Sequence, residues 1–157
     1  MSLDGVSLTQ PVVLRFDGAW KPEMCAQAQY EGPNAVITLQ NVDMSGQTPL
    51  QLWQVGNDGR IYLYTPSAPA TLCLTYQQTG QPGQPLELAT ANPQDQTQVW
   101  NWNQTPPSII NVGASGSGKA FAIDNNHGST SPGNQVQLYV SNGTNAQAWL
   151  FQTVPMF

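Results

Sequence analysis

Short, mostly apolar runs, bounded by polar stretches of Gly, Pro, Asn or Asp, follow one another along the whole chain. Short β-branched or aromatic segments between such turn formers are the pattern of strands. Twelve such runs can be read, at 12–16, 24–29, 35–40 and 50–55, then 61–65, 72–76, 86–91 and 98–102, then 109–112, 120–124, 136–140 and 148–153. No segment holds a helical period over three turns. The pattern predicts an all-β protein.

The runs fall into three groups of four, and markers within them keep step. Three Gln-x-Trp triplets, Gln51-Leu52-Trp53, Gln98-Val99-Trp100 and Gln147-Ala148-Trp149, place their tryptophans 47 and then 49 residues apart. Met24-Cys25-Ala26, Leu72-Cys73-Leu74 and Phe121-Ala122-Ile123 precede those tryptophans in turn, with centres 28, 27 and 27 residues upstream. Two markers in phase through three copies define an internal repeat. Three copies of four strands can close into a barrel capped by hairpins, which leaves few free edges. The Trp of each triplet is expected in the core, with the Gln (Gln51, Gln98, Gln147) as a buried hydrogen-bonding strut beside it. The 157 residues suit one domain, with lobes at about 11–60, 61–108 and 109–157.

Composition narrows the partners. Only 8% of residues are charged, and the net charge is −5. The four bases, Arg15, Lys21, Arg60 and Lys119, are spread along the chain and build no basic face, so nucleic acid and anionic membrane are not expected partners. No stretch is apolar enough to insert into a bilayer. The first residues lack the basic and apolar regions of a leader, so the expected location is cytoplasmic, or secreted without a classical signal peptide. The Asn-x-Thr matches at Asn103 and Asn142 are then expected to be idle. Cys25 and Cys73, 48 residues apart, occupy matching places in two copies and are expected as buried free thiols.

Triplets at this period resemble the ricin B-type (Gln-x-Trp) β-trefoil lectin family, and the resemblance spans nearly the whole chain. It implies a β-trefoil of twelve strands in three pseudo-symmetric lobes. In that family a sugar-binding lobe carries an Asp at the end of its Cys-Leu-Asp strand, a Gln-Leu-aromatic element about a dozen residues on, and an Asn near the triplet. The third copy matches with Asp124, with Gln137 and Tyr139, and more loosely with Asn145, since Ala146 stands where the Asn is expected. Asn125, Asn126, His127 and Gly128 form the turn after Asp124, and His127 is a further candidate contact. The chemistry suits a pyranose. A carboxylate accepts charge-assisted bonds from neighbouring hydroxyls, an amide both donates and accepts, and a ring packs on the C–H face.

The other copies depart from the pattern. In the first, Ala26 is read at the Asp position and Gln40 at the aromatic one. In the second, Thr75 and Ala89 stand there, with Glu87 in place of Gln137. Trp20 and Asp17, in the first connection, are read as a solvent-facing loop anchor rather than as an atypical site. Gly113-Ala114-Ser115-Gly116-Ser117-Gly118-Lys119 nearly spells a phosphate-binding loop, but Ala120 replaces its Ser or Thr and a strand replaces its helix.

Catalysis is not expected. One histidine, two cysteines and scattered acids supply neither a zinc set nor a nucleophile triad, and no second acid lies near Asp124 in sequence to pair with it. The resemblance therefore implies a metal-independent, cofactor-free lectin for glycans or glycoconjugates. Galactose or N-acetylgalactosamine is favoured, because such a carboxylate commonly takes an equatorial–axial hydroxyl pair. With one complete lobe per chain, multivalent binding would take a homodimer or larger oligomer. The alternative is a lectin-like trefoil with decayed sugar sites, acting as a protein-interaction subunit or protease inhibitor.

Overall fold

The computed structural model describes residues 10–66, 69–104, 107–116 and 118–154. Twelve strands run in chain order: β1 (Val12–Phe16), β2 (Met24–Ala28), β3 (Ile37–Asn41), β4 (Trp53–Val55), β5 (Ile61–Leu63), β6 (Leu72–Tyr76), β7 (Gln84–Thr90), β8 (Trp100–Gln104), β9 (Pro107–Asn111), β10 (Phe121–Asn125), β11 (Val136–Val140) and β12 (Trp149–Thr153). All join one hydrogen-bonded sheet. The expected β-trefoil is present, with four strands per lobe.

Each lobe projects one antiparallel hairpin, β2–β3, β6–β7 or β10–β11, with five residue pairs in register. The hairpins meet one another. β11 pairs with β7 through Gln137–Pro85 and Leu138–Gln84, while Val36 bridges Glu87 and Thr38 bridges Gln135.

The three tryptophans of the triplets begin β4, β8 and β12, and each is 0% exposed. An indole buries about 150–250 Å², about 4–6 kcal/mol at about 25 cal/mol per Å² before entropy is charged. A buried N–H must find an acceptor, and each finds the same one in its lobe. Trp53 Nε1 donates to the Ala26 carbonyl at 3.2 Å, Trp100 to Leu74 at 3.0 Å, and Trp149 to Ile123 at 3.1 Å. Around them Leu14, Met24, Ile37, Leu39, Ile61, Leu74, Leu86, Leu88 and Ile109 fill the common core.

Sequence and structure differ at the triplet glutamines. The strands expected to begin at 50, 98 and 148 begin at the Trp instead, and each Gln closes a 3₁₀ turn: Pro49–Gln51, Gln96–Gln98 and Asn145–Gln147. The turn aims the amide inward, where all three glutamines are buried. Among the described residues no helix is long and apolar enough to cross a membrane.

Candidate functional site

In the third lobe Asp124 on β10 lies opposite Gln137 on β11, and Ala122 lies opposite Tyr139. Alternation along a strand puts Asp124, Gln137 and Tyr139 on one face. Asp124 accepts two side-chain hydrogen bonds, from Gln137 Nε2 to Oδ1 and from Gln147 Nε2 to Oδ2, both at 3.0 Å. Gln137 is itself held, its Oε1 accepting from Gln135 Nε2 at 2.9 Å. The two amides fix the carboxylate's plane and leave its remaining lone pairs for a ligand.

The carboxylate is 5% exposed. Burial pushes its pKa above the ordinary 3.8, while the amides of Gln147 and Gln137 and the charge of His127 pull the other way. Asp124 stands at the base of an open depression of ≈ 480 Å³. The half-buried ring of Tyr139 lines one part of it, and His127, Gly128, Asn145 and Ala146 line others.

The turn after β10 owes its shape to two residues in the left-handed region, His127 at φ 58° and Gly128 at φ 66°. Such a φ is uncommon for a residue other than glycine. It leaves the His127 side chain exposed on the rim. Asn145 is exposed as well, and its side chain makes no hydrogen bond to the described residues. Asn125 behaves differently. It is fully buried, donating to the Ser129 carbonyl at 2.9 Å and accepting from Asn134 Nδ2 at 2.7 Å, so it shapes the turn and does not face a ligand.

The structure thus gathers Asp124, Gln137, Tyr139, His127 and Asn145 around one depression. Asn126 of the turn lines it too, Asn142 and Thr144 are additions, and Gln147 is a direct partner of the carboxylate. Gln147 carried a signal as a triplet strut. Nothing in the sequence tied that strut to Asp124, since the contact crosses from the 3₁₀ turn to β10.

One sequence assignment is corrected. The residue at the Asp124 position of the first lobe is Gln27, not Ala26. β2 pairs with β3 through Gln27–Thr38 and Cys25–Gln40, so Gln27, Thr38 and Gln40 match Asp124, Gln137 and Tyr139. Ala26 faces the core, and its carbonyl receives the Trp53 indole. The second-lobe matches Thr75, Glu87 and Ala89 agree with the register. The Thr75 hydroxyl there is spent on Thr97, donating to its carbonyl at 3.1 Å.

The remaining motifs settle elsewhere. Gly116 and Lys119 bridge one another, and the element that follows Lys119 is the strand β10, not a helix. Trp20 is 87% exposed, with Lys21 Nζ 5.1 Å from its ring centroid, so it projects into solvent. Asp17 pairs with Arg15 at 3.3 Å. Cys25 and Cys73 are both buried and free. Among the described residues no three His, Cys, Asp or Glu side chains converge.

The sequence matches the family model for the ricin-type beta-trefoil lectin domain over residues 14–149. The chain belongs to that family. No curated protein sequence matches it. Among solved structures, the β-trefoil lectin of the Vibrio vulnificus hemolysin/cytolysin, with N-acetyl-D-lactosamine bound, superposes with a TM-score of 0.72 at 16% identity, covering 96% of this chain and 99% of that one. The C-half of the earthworm R-type lectin, in complex with GalNAc, gives 0.70 at 11% identity over 92% and 98% of the two chains. The designed threefold-symmetric protein ThreeFoil gives 0.69 at 17% identity over 93% and 99%. At these identities the likeness concerns the fold.

Proposed function

We propose that this protein is a metal-independent lectin that binds a glycan in its third lobe, with a terminal galactose or N-acetylgalactosamine as the recognised sugar. The observation that carries the reading is Asp124: a carboxylate held by two amides at the base of an open depression, beside a half-buried tyrosine ring. Its free lone pairs suit two neighbouring ligand hydroxyls. Charge-assisted bonds of this kind are about twice as strong as neutral ones. The Tyr139 ring is placed for the sugar's C–H face, and the exposed His127 and Asn145 are placed for peripheral hydroxyls. Family membership supports carbohydrate binding. The Vibrio vulnificus and earthworm lectins, whose structures hold N-acetyl-D-lactosamine and GalNAc, support a galactose-type ligand.

We read the site as binding without catalysis. Asp124 is the one acid among the described residues that line the depression, whereas glycoside hydrolysis takes a carboxylate pair. At the register positions of Asp124 and Tyr139 the other lobes carry Gln27 and Gln40, and Thr75 and Ala89, so neither pairs a carboxylate with a ring there, which leaves the third lobe as the proposed site.

Calorimetry with galactose-terminated glycans tests the assignment. Asp124→Ala removes bonds of about 1.5–3 kcal/mol, so affinity should fall at least about tenfold, at about 1.4 kcal/mol per decade. Tyr139→Ala should cost a comparable factor, and Thr75→Ala none. Unchanged binding in Asp124→Ala would overturn the site.

A further inference from the structure

We propose that the groove on the other side of Tyr139 is a second subsite, which takes an aromatic aglycone attached to the sugar held at Asp124. The inference rests on reading the Asp124 depression as the sugar site.

The groove follows from the way two lobes part. β11 pairs with β7 through Gln137–Pro85 and Leu138–Gln84. Beyond Gln84 the second-lobe chain turns away into residues 77–83, while β11 continues through Tyr139 and Val140. The space between them has a volume of ≈ 380 Å³, within the range of small-molecule sites. Phe121 and Val140 line it from the third lobe and Pro82 from the second, with Gln81, Gln84 and Lys119 as its polar side chains. Val140 is 39% exposed, one of three large hydrophobic side chains so exposed among the described residues. Tyr139 lines both the groove and the sugar depression, so a substituent leaving the sugar past that ring enters the groove.

The wall is tied to the sugar site. Gln135 Nε2 donates to the Gly83 carbonyl at 3.1 Å and to Gln137 Oε1 at 2.9 Å, and Gln137 orients Asp124. A Cβ at Gly83, where φ is 75°, would lie 2.8 Å from Gln137 Oε1, so only glycine lets the loop approach this closely. Within the loop the Gly80 N–H donates to Gln84 Oε1 at 3.2 Å, and Gln77 N–H donates to the Pro85 carbonyl at 2.8 Å.

The lining selects the occupant. Hydroxyls of a second sugar that face Phe121 and Val140 would lose water without gaining partners there. An aromatic ring meets apolar side chains there, and Lys119 supplies a cation for its π face.

The test compares methyl galactoside with 4-nitrophenyl galactoside on the intact chain by calorimetry. The aryl glycoside should bind about fivefold tighter, about 1 kcal/mol at about 1.4 kcal/mol per tenfold. Val140→Asp alters a side chain outside the sugar depression, so it should abolish that gain and leave methyl galactoside binding unchanged. A measurement on the unaltered protein covers the case in which Val140→Asp does not fold: nuclear Overhauser contacts between the aryl protons and the Val140 methyls are expected. Equal affinities for the two glycosides, or no such contacts, overturn the groove and leave the sugar site standing. Failure of both glycosides to bind overturns the sugar reading, and this inference with it.

Discussion

Gln147 donates its amide to Asp124 Oδ2 at 3.0 Å and, from the same nitrogen, to the Val140 carbonyl at 2.9 Å. Its oxygen accepts the Asn142 N–H at 2.9 Å, so one buried side chain joins a turn, a strand end and the carboxylate. The first lobe repeats the device: Gln51 donates to Gln27 Oε1 and to the Asn41 carbonyl, both at 2.8 Å, and accepts from Asp43 N–H at 2.9 Å. In the second, Gln98 donates to the Thr90 carbonyl at 3.0 Å and accepts from Asn92 N–H at 2.8 Å. A residue type that builds the fold three times also orients the proposed ligand group once.

The two roles separate by mutation. Gln147→Leu and Gln51→Leu each orphan buried partners and should each destabilise the fold by about 1–3 kcal/mol in denaturant unfolding. Only Gln147→Leu should also weaken glycan binding, because it alone frees Asp124 to turn. Equal binding in the two variants would show that the carboxylate needs no orientation from Gln147.

What the sequence disclosed and what it hid have the same physical origin. β1, β6 and β11 lie where apolar runs bounded by turn formers put them, because a short chain segment buried between turns has room only for a strand. The phase of three tryptophans disclosed the lobes, since each must reach an equivalent carbonyl. Contacts made across the fold left no such trace. The bond from Gln147 to Asp124 spans 23 residues, and that from Gln135 to the Gly83 carbonyl spans 52. The slip from Gln27 to Ala26 shows how sharply register matters. One residue along a strand exchanges a face open to the Gln51 amide for the core.

Acid should separate binding from folding. Burial raises the Asp124 pKa above 3.8, and a carboxylate that accepts ligand hydroxyls must be ionised. On titration from about pH 7 to about pH 4, affinity should therefore start to fall at a higher pH than an ordinary aspartate would give. The stability contribution has the opposite sign. A folded-state value above the unfolded one favours folding below 3.8, and that contribution is lost as pH rises through the folded value. Asp124 thus releases ligand on acidification without itself loosening the fold. Calorimetry and thermal melts over the same series test this, and an affinity that holds constant down to the ordinary carboxylate range would refute it.

Cys25 and Cys73 sit at matching register positions, Cys25 opposite Gln40 and Arg15, Cys73 opposite Ala89 and Tyr62. Burial is the main cause that raises both thiols to about 12. The thiolate is the nucleophile, so neither should react with a disulfide reagent in the native protein near neutral pH, and both should react in guanidinium. Rapid labelling of either thiol in native buffer would contradict the buried placement.

The first lobe offers a direct test of which residues make a site. Gln51 already donates to Gln27 Oε1 as Gln147 does to Asp124 Oδ2, so Gln27→Asp keeps the acceptor and adds the charge. Thr38→Gln then supplies the second amide and Gln40→Tyr the ring, at the register positions of Gln137 and Tyr139. The triple variant should bind two glycans per chain by calorimetry, where the unaltered chain binds one. Two sites on one rigid domain also let a monomer bridge two surfaces, and bivalent capture multiplies apparent affinity by roughly 10²–10⁴ where both sites engage together. The triple variant should therefore agglutinate glycan-coated beads at a concentration where a monomeric unaltered chain does not. A stoichiometry that stays at one would mean that the hairpin triad is insufficient. The third lobe's turn, with His127 in its left-handed conformation, would then be the feature that completes a site.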